Sequence, residues 1–432
     1  MGIDRRRRRV RDGVRSGVTH AQRSEARCAM KAERRRRAGL CLAATLAVWM
    51  GCAGDDPVQG VLAAPGDGDD KVDDRVAGLF PEFFPDGVPH SIPLASIAHG
   101  GPLKDGIPAL TRPTVIPAAA ADYLGDDAIV LGLEVNGEAR AYPLLIMNWH
   151  EIVNDTLGGS PVAVTYCPLC GTGIAFDPIV DGRALEFGVS GLLHNSDLLM
   201  YDRDTDTPSL WQQALGKAVV GPRTDTKLPI LPVAHSRWID WKAAHPGSTV
   251  LSTDTGFGRN YTRDPYAGYA QDEGLFFPVD GEKRDLPRKT WVFGLIHNGA
   301  TRAYPLEDVG ADEAVNDAIG GEAVVVVTGS GSPPSARAYR RGEMRFTLDE
   351  AVLTDGAGGV WELTEAALVG PDGSRLERLD DGFVAFWFAW STFYPDTDIY
   401  DGSEADPNVQ PIDGVAPDRW GRIKADEGDA EG

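Results

Sequence analysis

Cysteine and histidine are scarce in this chain of 432 residues, which contains five cysteines and eight histidines. So few cysteines exclude a small disulfide-stabilised scaffold, and the chain is long enough to bury a large hydrophobic core. No P-loop, dinucleotide-binding glycine fingerprint, nucleophile elbow or HExxH sequence occurs, so the commonest signatures of nucleotide-binding proteins, serine hydrolases and zinc proteases are missing. The few cysteines are therefore the most informative residues.

Positive charge is scarce outside the N-terminus. The formal net charge is −22, yet the residues up to Gly51 hold 14 Lys and Arg against 4 Asp and Glu. The rest of the chain therefore carries a net charge of −32, which repels nucleic-acid phosphates. We expect no nucleic-acid partner, and we interpret the early arginines as part of a targeting signal.

The apolar run near the N-terminus, Ala38 to Met50, is too short for a permanent transmembrane helix. It follows the basic run Arg34 to Arg37 and precedes Gly51-Cys52, an order typical of a bacterial export signal. We predict that residues 1–52 form this signal, with translation starting at Met30. We also predict that Cys52 is lipidated and anchors an extracytoplasmic protein to the membrane, the alternative being a secreted form.

Acidic segments flank the predicted ordered region. Residues 53–78 include the sequence GDGDDKVDD and are predicted to be a tether that buries no core, with order beginning near Leu79. Residues 401–432 are predicted to be an acidic tail. The chemistry is therefore expected between these two segments.

Two stretches of the chain repeat one pattern. Alternating hydrophobicity around Asn136-Gly137 predicts a hairpin with a two-residue turn, and the same turn recurs at Asn298-Gly299. The tyrosines of the two AYP sequences are 162 residues apart, and so are the asparagines of the two VND sequences. We predict an α+β fold with a strand-rich scaffold, built by internal duplication of hairpin-helix-strand units. The first copy would span residues 79–278 and a degenerate second copy residues 279–400.

Between the first hairpin and the cysteines, residues 144–159 carry apolar side chains at helical spacing and end in two glycines. This pattern predicts a helix with a glycine C-cap. A strand from Val162 to Tyr166 would then lead into Cys167. At the equivalent positions of the second copy, Gly329 and Ser332 replace Cys167 and Cys170.

Cys167 and Cys170 lie in the sequence CPLCGTG and form the only cysteine pair of the predicted mature domain. Two thiols at this spacing suit thiol-disulfide or peroxide chemistry, metal ligation, or a small structural disulfide. In the redox interpretation one sulfur attacks, the other resolves, and His150 tunes the thiolate. In the metal interpretation the two sulfurs and His150 hold Zn or Cu, with His194 as a further ligand. In the third interpretation, the two cysteines form a structural disulfide and the chain is a non-catalytic extracellular module.

His150 is preferred among the histidines because it lies late in the predicted helix and Asp312 replaces it in the second copy. Other polar side chains near the motif could orient a histidine or line a substrate pocket. These candidate pocket residues are Asp155, Asp197, Arg203, Arg259 and Tyr266.

Four motifs carry a family resemblance: AYPLLIMNWHEIVND, VAVTYCPLCGTGIAFD, SGLLHNSDLLMYDR with SLWQQ, and TGFGRNYTRDPYAGY. Together they resemble the bacterial family known as domain of unknown function 3179, some of whose members are described as selenoproteins. Because selenocysteine replaces cysteine mainly where the chalcogen is reactive, the resemblance favours redox chemistry at Cys167 or Cys170. The family has no settled activity, so the resemblance implies none for this chain.

Overall fold

The computed structural model describes residues 71–203, 206–332 and 334–405. It is 41% strand and 13% helix, which confirms the strand-rich α+β class. The predicted export signal with Cys52, and the predicted tether as far as residue 70, lie outside the described residues. Within those residues, no helix is long and apolar enough to cross a membrane.

The helices of the described ranges are short. The α-helices are α1 Asp74–Leu79, α2 Leu144–His150, α3 Trp238–Ala244, α4 Leu306–Val309 and α5 Trp387–Phe393. Single 3-10 turns occur at Leu94–Ser96, Ala118–Ala120, Gln213–Leu215 and Tyr269–Gln271.

Strands form most of the regular structure. Before residue 204 they are β1 Ile97–His99, β2 Leu110–Thr111, β3 Val115–Pro117, β4 Ile129–Val135, β5 Glu138–Pro143, β6 Ile152–Leu157, β7 Ser160–Cys167, β8 Thr172–Phe176, β9 Ile179–Val180, β10 Arg183–Ala184, β11 Phe187–His194 and β12 Asp197–Asp202. The next are β13 Leu210–Gln212, β14 Lys217–Val220, β15 Ile230–Leu231, β16 Val233–Arg237, β17 Thr249–Leu251, β18 Trp291–His297, β19 Ala300–Pro305, β20 Ala314–Ile319 and β21 Glu322–Gly329. The last are β22 Ser335–Arg340, β23 Phe346–Asp349, β24 Val352–Asp355, β25 Val360–Leu363, β26 Ala367–Val369, β27 Arg375–Glu377, β28 Gly382–Phe386 and β29 Asp398–Ile399.

These strands form small, mostly antiparallel sheets. The sheet orders that concern the site are β1-β11-β12-β13-β14, β15-β8-β7-β6-β2 and β16-β4-β5-β17-β3. The sheets of the C-terminal part have the orders β28-β18-β19-β29, β20-β21-β22 and β23-β24-β25-β26-β27. The cysteine strand β7 therefore lies inside its sheet, flanked on both sides.

The two predicted hairpin turns are confirmed. β4 pairs with β5 around Asn136-Gly137, and β18 pairs with β19 around Asn298-Gly299. Both asparagines and Gly137 have positive φ angles, as a two-residue hairpin turn of this type requires. Each asparagine amide also donates to a glycine carbonyl 22 residues later, Gly158 in one case and Gly320 in the other.

The predicted helix over residues 144–159 is only half present. Helix α2 ends at His150, and Glu151 has a φ angle of 58°, which takes the backbone out of the helical region. The residues after it form strand β6, because Ile152 and Val153 are β-branched and pack well in a sheet. The two glycines make a turn to β7 instead of a helix cap. The predicted hairpin-helix-strand unit is therefore a hairpin-helix-hairpin unit.

The hairpin β4–β5 and the hairpin β18–β19 share a close glycine–tryptophan contact. A Cβ atom added to Gly132 would lie 2.2 Å from ring carbons of Trp241. One added to Gly294 would lie 2.1 Å from the ring of Trp390. Only glycine leaves room for either indole, and helices α3 and α5 pack on the two hairpins through these rings.

A second contact recurs in the same two units. Tyr142 donates its hydroxyl proton to Asp155, and Tyr304 donates to Asp317, both at 2.9 Å. A guanidinium pairs with each carboxylate, from the buried Arg140 in the first unit and from the half-buried Arg302 in the second. These pairs attach each hairpin to the strand after its short helix.

The ordered structure extends into both predicted flanking segments. Val72 and Val76 are buried in one cluster with Phe80 and Phe83; Val76 lies in helix α1, and the other three residues flank it. The end of the predicted tether therefore belongs to the core. In the predicted tail, Glu404 pairs with Arg341 and Arg345, so its first residues attach to the body.

Candidate functional site

The two cysteines lie at a tight turn between β7 and β8. Cys167 is the last residue of β7, and the backbone N–H of Cys170 donates to the Cys167 carbonyl at 3.2 Å. Gly171 follows with a φ angle of 67°, and an added Cβ there would lie 2.4 Å from the ring of Trp291. Strand β8 follows the motif directly, so the thiols do not lie at the start of a helix that follows them in sequence.

The turn is also held by the C-terminal part of the chain. The backbone N–H of Phe386, at the end of β28, donates to the carbonyl of Cys170 at 2.8 Å. The Phe386 ring packs on Trp291, with centroids 4.1 Å apart. Residues far from the motif in sequence therefore fix the backbone that carries the thiols.

A different hairpin places Asp197 beside the sulfurs. Strands β11 and β12 are joined by Asn195 and Ser196, which have φ angles of 52° and 61°. The Ser196 carbonyl accepts from the Sγ of Cys170 at 3.4 Å and lies 3.9 Å from the Sγ of Cys167. The next residue is Asp197, so the turn carries its carboxylate to the thiols.

Cys167, Cys170 and Asp197 form one cluster of potential ligands. One ligand atom from each lies within 4.8 Å of the others, and both cysteines are free thiols. The exposed fraction is 2% for Cys167 and 0% for both Cys170 and Asp197. We call these three residues the thiol–carboxylate cluster.

Only one oxygen of Asp197 is satisfied. Its Oδ2 accepts from the Gln212 amide at 2.6 Å and from the backbone N–H of Ala214 at 2.9 Å. Among the described residues, Oδ1 has no hydrogen-bond partner although it is buried. A buried polar atom without a partner is costly, so Oδ1 is suited to a further ligand or proton.

Burial keeps the two thiols of the cluster protonated when no metal is bound. It raises the pKa of Cys167 and raises that of Cys170 well above the usual value, and the charge of Asp197 raises both further. Burial also raises the pKa of Asp197 to about 6, although hydrogen bonds from Ala214 and Gln212 oppose the shift. Among the described residues, the main influences on the thiol pKa values are burial, the other thiol and nearby carboxylates, with no cation of the kind that lowers the pKa of a reactive cysteine.

A second carboxyl group and three tyrosines surround the cluster. Glu151 is 7% exposed, burial raises its pKa to about 8, and the Tyr266 hydroxyl donates to its Oε1 at 3.3 Å. Tyr166 and Tyr269 are close enough for the cysteines to influence their pKa values, which burial raises. The Tyr269 hydroxyl is buried and has no hydrogen-bond partner among the described residues.

His150 lies away from the cluster, with both ring nitrogens engaged elsewhere. Its Nδ1 is 2.7 Å from the Pro108 carbonyl, and its Nε2 is 2.6 Å from the Tyr261 hydroxyl. Within the described ranges, the residues that could hold a metal ion together are Cys167, Cys170 and Asp197. The sequence had predicted His150 as the third ligand.

His194 is one step removed from the cluster. Its Nδ1 donates to the side-chain oxygen of Gln212 at 2.7 Å, and the amide of Gln212 donates to Asp197. Its other nitrogen lies 3.4 Å from the Asn195 amide. His194 therefore supports Asp197 through Gln212 and does not reach the sulfurs.

The remaining predicted pocket residues lie in three different places. Asp155 pairs with Arg140, and Arg203 pairs with Asp105, so both stabilise loops and strands. Tyr266 lies at the cluster through Glu151. Arg259 lies beside His150, with its guanidinium 5.6 Å from the Trp149 ring.

Sequence reasoning missed Glu151, Tyr166 and Gln212 at this site. Comparison of the two repeats did not identify Glu151, because Glu313 stands 162 residues later. Gln212 lies in the SLWQQ motif, which is part of the family resemblance. The resemblance implies no role for this residue. Its contact with Asp197 depends on the pairing of β12 with β13.

The comparisons with known proteins give one result on the family. At the threshold used, no curated protein and no solved structure matches the chain. One family model matches residues 104–397, about two thirds of the chain, and its description is "Protein of unknown function (DUF3179)". The match includes the cysteine turn, the Asp197 hairpin and both hairpin-helix-hairpin units, and the chain therefore belongs to the DUF3179 family.

Proposed function

We propose that the protein binds one thiophilic metal ion, Zn²⁺ or Cu⁺, through Cys167, Cys170 and Asp197. The observation that carries this proposal is the convergence of two thiols and one carboxylate within 4.8 Å in a fully buried site. Thiolates favour Zn²⁺ and Cu⁺ over the hard cations Mg²⁺ and Ca²⁺. Two thiolates with a carboxylate suit Zn²⁺, for which all three are ordinary ligands.

Electrostatics supports a cation at this position. Without one, burial and the nearby carboxylates keep the thiols protonated, as their raised pKa values indicate. A bound cation replaces the protons, and the lost hydration of the thiolates and carboxylate is offset by direct coordination. The unpaired Oδ1 of Asp197 is the atom that such a cation would satisfy.

Three protein ligands leave one position of a tetrahedral ion open. The side chains around the cluster could serve that position, because the Tyr269 hydroxyl is unpaired and Glu151 lies near Asp197 and Cys167. An open position is typical of zinc sites that bind or activate a ligand. We therefore propose a binding or catalytic site in preference to a purely structural one.

Thiol-disulfide chemistry is the second candidate. It is favoured by the closeness of the two sulfur atoms, both of which lie near the Ser196 carbonyl. It is weakened by burial and by the carboxylates, which raise the thiol pKa values where a redox cysteine needs a lowered one. We therefore rank it below metal binding.

A metal titration separates the two functions. Chelator-treated protein with reduced cysteines should take up about one Zn²⁺ per chain and release protons as the thiols ionise. Cys167→Ser and Cys170→Ser should each lose tight binding, whereas His150→Gln should retain it. Absence of uptake, together with reversible opening of a disulfide by mild reductant, would support the second candidate.

We further infer that the chain arose by internal duplication and that its second unit acts as a cover. The constant 162-residue offset and the matching Gly132–Trp241 and Gly294–Trp390 contacts support the duplication. Phe386 holds the Cys170 carbonyl from the second unit, which supports the covering role. In this interpretation one unit provides the ligands and the other excludes water.

We also propose that the protein acts outside the cytoplasm, attached to the membrane through lipidated Cys52. The support is the order of basic run, apolar run and Gly51-Cys52 in the sequence. Replacement of Cys52 by Ser should release the protein from the membrane fraction. A wild-type protein that remains in the cytoplasm would contradict the proposal.

A further inference from the structure

His150 and Tyr261 form a hydrogen-bonded pair outside the thiol–carboxylate cluster. The Nδ1 of His150 lies 2.7 Å from the carbonyl oxygen of Pro108, which can only accept, so this nitrogen carries the proton. The Nε2 atom is then an acceptor, and the Tyr261 hydroxyl donates its proton to it at 2.6 Å. A backbone carbonyl thus fixes a neutral imidazole with its basic nitrogen directed at a phenol.

A third group completes the arrangement. The hydroxyl of Thr255 lies 2.5 Å from that of Tyr261. Since Tyr261 already donates to His150, Thr255 must donate to Tyr261. The order carbonyl, imidazole, hydroxyl is the one by which a positioned base activates a nucleophile.

The pair is near the protein surface on the tyrosine side. His150 is fully buried, whereas Tyr261 is half-buried, and Phe257, which contacts the His150 ring, is 44% exposed. Burial lowers the pKa of His150, so the imidazole is neutral and able to accept a proton near pH 7. The pair therefore lies at the boundary between the buried core and the more exposed residues around Phe257.

A guanidinium without an acidic partner adjoins the pair. Within the described residues Arg259 makes no ion pair, although the chain has 64 Asp and Glu against 42 Lys and Arg. It lies over the Trp149 ring and donates to the Gly106 carbonyl at 3.4 Å. Burial raises the pKa of Tyr261, and the Thr255 hydrogen bond and the charge of Arg259 oppose this rise.

We propose that Tyr261 and His150 form a second reactive site, in which the imidazole activates the phenol for acyl transfer from a small carboxylic ester. The Tyr261 oxygen attacks the ester carbonyl carbon while its proton passes to the Nε2 of His150. The alcohol or phenol then leaves with that proton, and an acyl-tyrosine remains. Water hydrolyses the acyl-tyrosine to the carboxylic acid, which restores the phenol and balances the reaction.

The surroundings fit this class of substrate. Arg259 supplies the positive charge that stabilises the oxyanion formed on the ester carbonyl. Phe257 and Trp149 offer apolar surface for the body of an ester. The site needs no metal and no thiol, so it is independent of the function proposed for Cys167 and Cys170.

The test is acetylation of the full chain by p-nitrophenyl acetate, followed by peptide mass spectrometry. We expect Tyr261 to acquire the acetyl group roughly a hundredfold faster than Tyr123, as general-base assistance predicts. Tyr123 is a matched internal reference, because it is also half-buried and its hydroxyl donates to the Leu251 carbonyl, which is no base. Peptide mapping separates acetyl-tyrosine from acetyl-cysteine, so the result does not depend on the thiols.

Two variants assign the roles. Tyr261→Phe keeps the ring and should abolish the burst of p-nitrophenolate, and His150→Gln should slow Tyr261 acetylation to the Tyr123 rate. Equal acetylation of Tyr261 and Tyr123 in the wild-type protein would overturn the proposal even if the His150 variant fails to fold.

Discussion

The carboxylate of Asp197 and the sulfur of Cys170 lie within 4.8 Å of each other in the interior, although they belong to different hairpins. Neither residue is exposed to solvent. Burying a carboxyl group beside a thiol costs stability unless a partner compensates for the lost hydration. A metal ion bound between them would provide that compensation, which is why this relationship is central to the proposed function.

Replacing Asp197 by Asn should weaken metal binding and leave the fold intact. The amide keeps the shape of the side chain but lacks the charge that a metal requires. We expect the affinity for Zn²⁺ to fall at least about a hundredfold, because even groups that only support metal ligands contribute roughly 10–100-fold. Competition with a chromophoric chelator measures the change.

Asp202→Asn is the matched control for that experiment. Asp202 is on the same strand and fully buried, but it accepts from the Trp211 indole and lies outside the thiol–carboxylate cluster. This variant should lose stability and retain the wild-type affinity for Zn²⁺. If both variants weaken binding equally, Asp197 is not a ligand.

His150→Gln should bind metal with unchanged stoichiometry. Both ring nitrogens of His150 already contact protein groups, so its loss removes no ligand. The free energy of unfolding should fall by about 1–3 kcal/mol, because Pro108 and Tyr261 lose a hydrogen-bond partner. Metal analysis tests the stoichiometry, and urea denaturation tests the free energy of unfolding. Loss of metal in this variant would show that His150 is a ligand.

Glu151 should make the metal-free protein less stable as pH rises. Burial raises its pKa in the folded state to about 8, from an ordinary value of 4.5, so the folded state binds the extra proton between these values. The contribution of Glu151 to stability is therefore greatest below about pH 4.5 and falls towards pH 8, by up to about 1.4 kcal/mol per pH unit. Asp197 adds a similar loss only up to its own pKa of about 6.

The window from pH 7 to pH 8 lies above the pKa of Asp197 and above the ordinary histidine value of 6.5, from which burial lowers the pKa of His150 and His235, so Glu151 dominates the slope there. In urea denaturation of the chelator-treated protein, Glu151→Gln should remove the slope in this window. The control is Glu313→Gln, which alters the residue 162 positions later and should leave the slope in place. A wild-type stability that does not decline over this window would refute the assignment.

Much of the scaffold could be predicted because it depends on local patterns. Asn136-Gly137 and Asn298-Gly299 specify turns through their own backbone preferences, and both turns are present. The stretch from Ile152 to Leu157 was mistaken for helix because its apolar residues also fit a helical period. Pairing with β7, a tertiary contact, decides in favour of the strand.

The sequence predicted the chemistry of the cysteines, whereas it gave Asp197 and Tyr266 only as candidate pocket residues. Cys167 and Cys170 are neighbours in sequence, so their spacing alone indicates shared chemistry. Asp197 reaches them through the β11–β12 turn and through Gln212, contacts that no local pattern reveals. His150 was expected at the thiols because it precedes β6 and β7, but Glu151 turns the chain, and His150 contacts Pro108 and Tyr261.

Gly132→Ala and Gly294→Ala should destabilise the protein to a similar extent. In each case the new methyl group would lie about 2 Å from a buried indole, Trp241 or Trp390, and overpacking of this kind costs about 1–3 kcal/mol or more. Thermal unfolding of the two variants measures the loss. Gly247→Ala is the control, since nothing lies within 4 Å of its added Cβ. A clear loss in only one variant would show that the two units are not equivalent in stability.

The most direct test of the proposed metal site is to purify the full chain without chelator and measure its metal content by mass spectrometry, together with the reactivity of Cys167 and Cys170 towards a thiol reagent. The account predicts close to one Zn or Cu per chain, with both thiols protected until the metal is removed. A Cys167→Ser, Cys170→Ser double variant should then carry no metal. A metal-free chain that also takes up no added Zn²⁺ or Cu⁺ would contradict it.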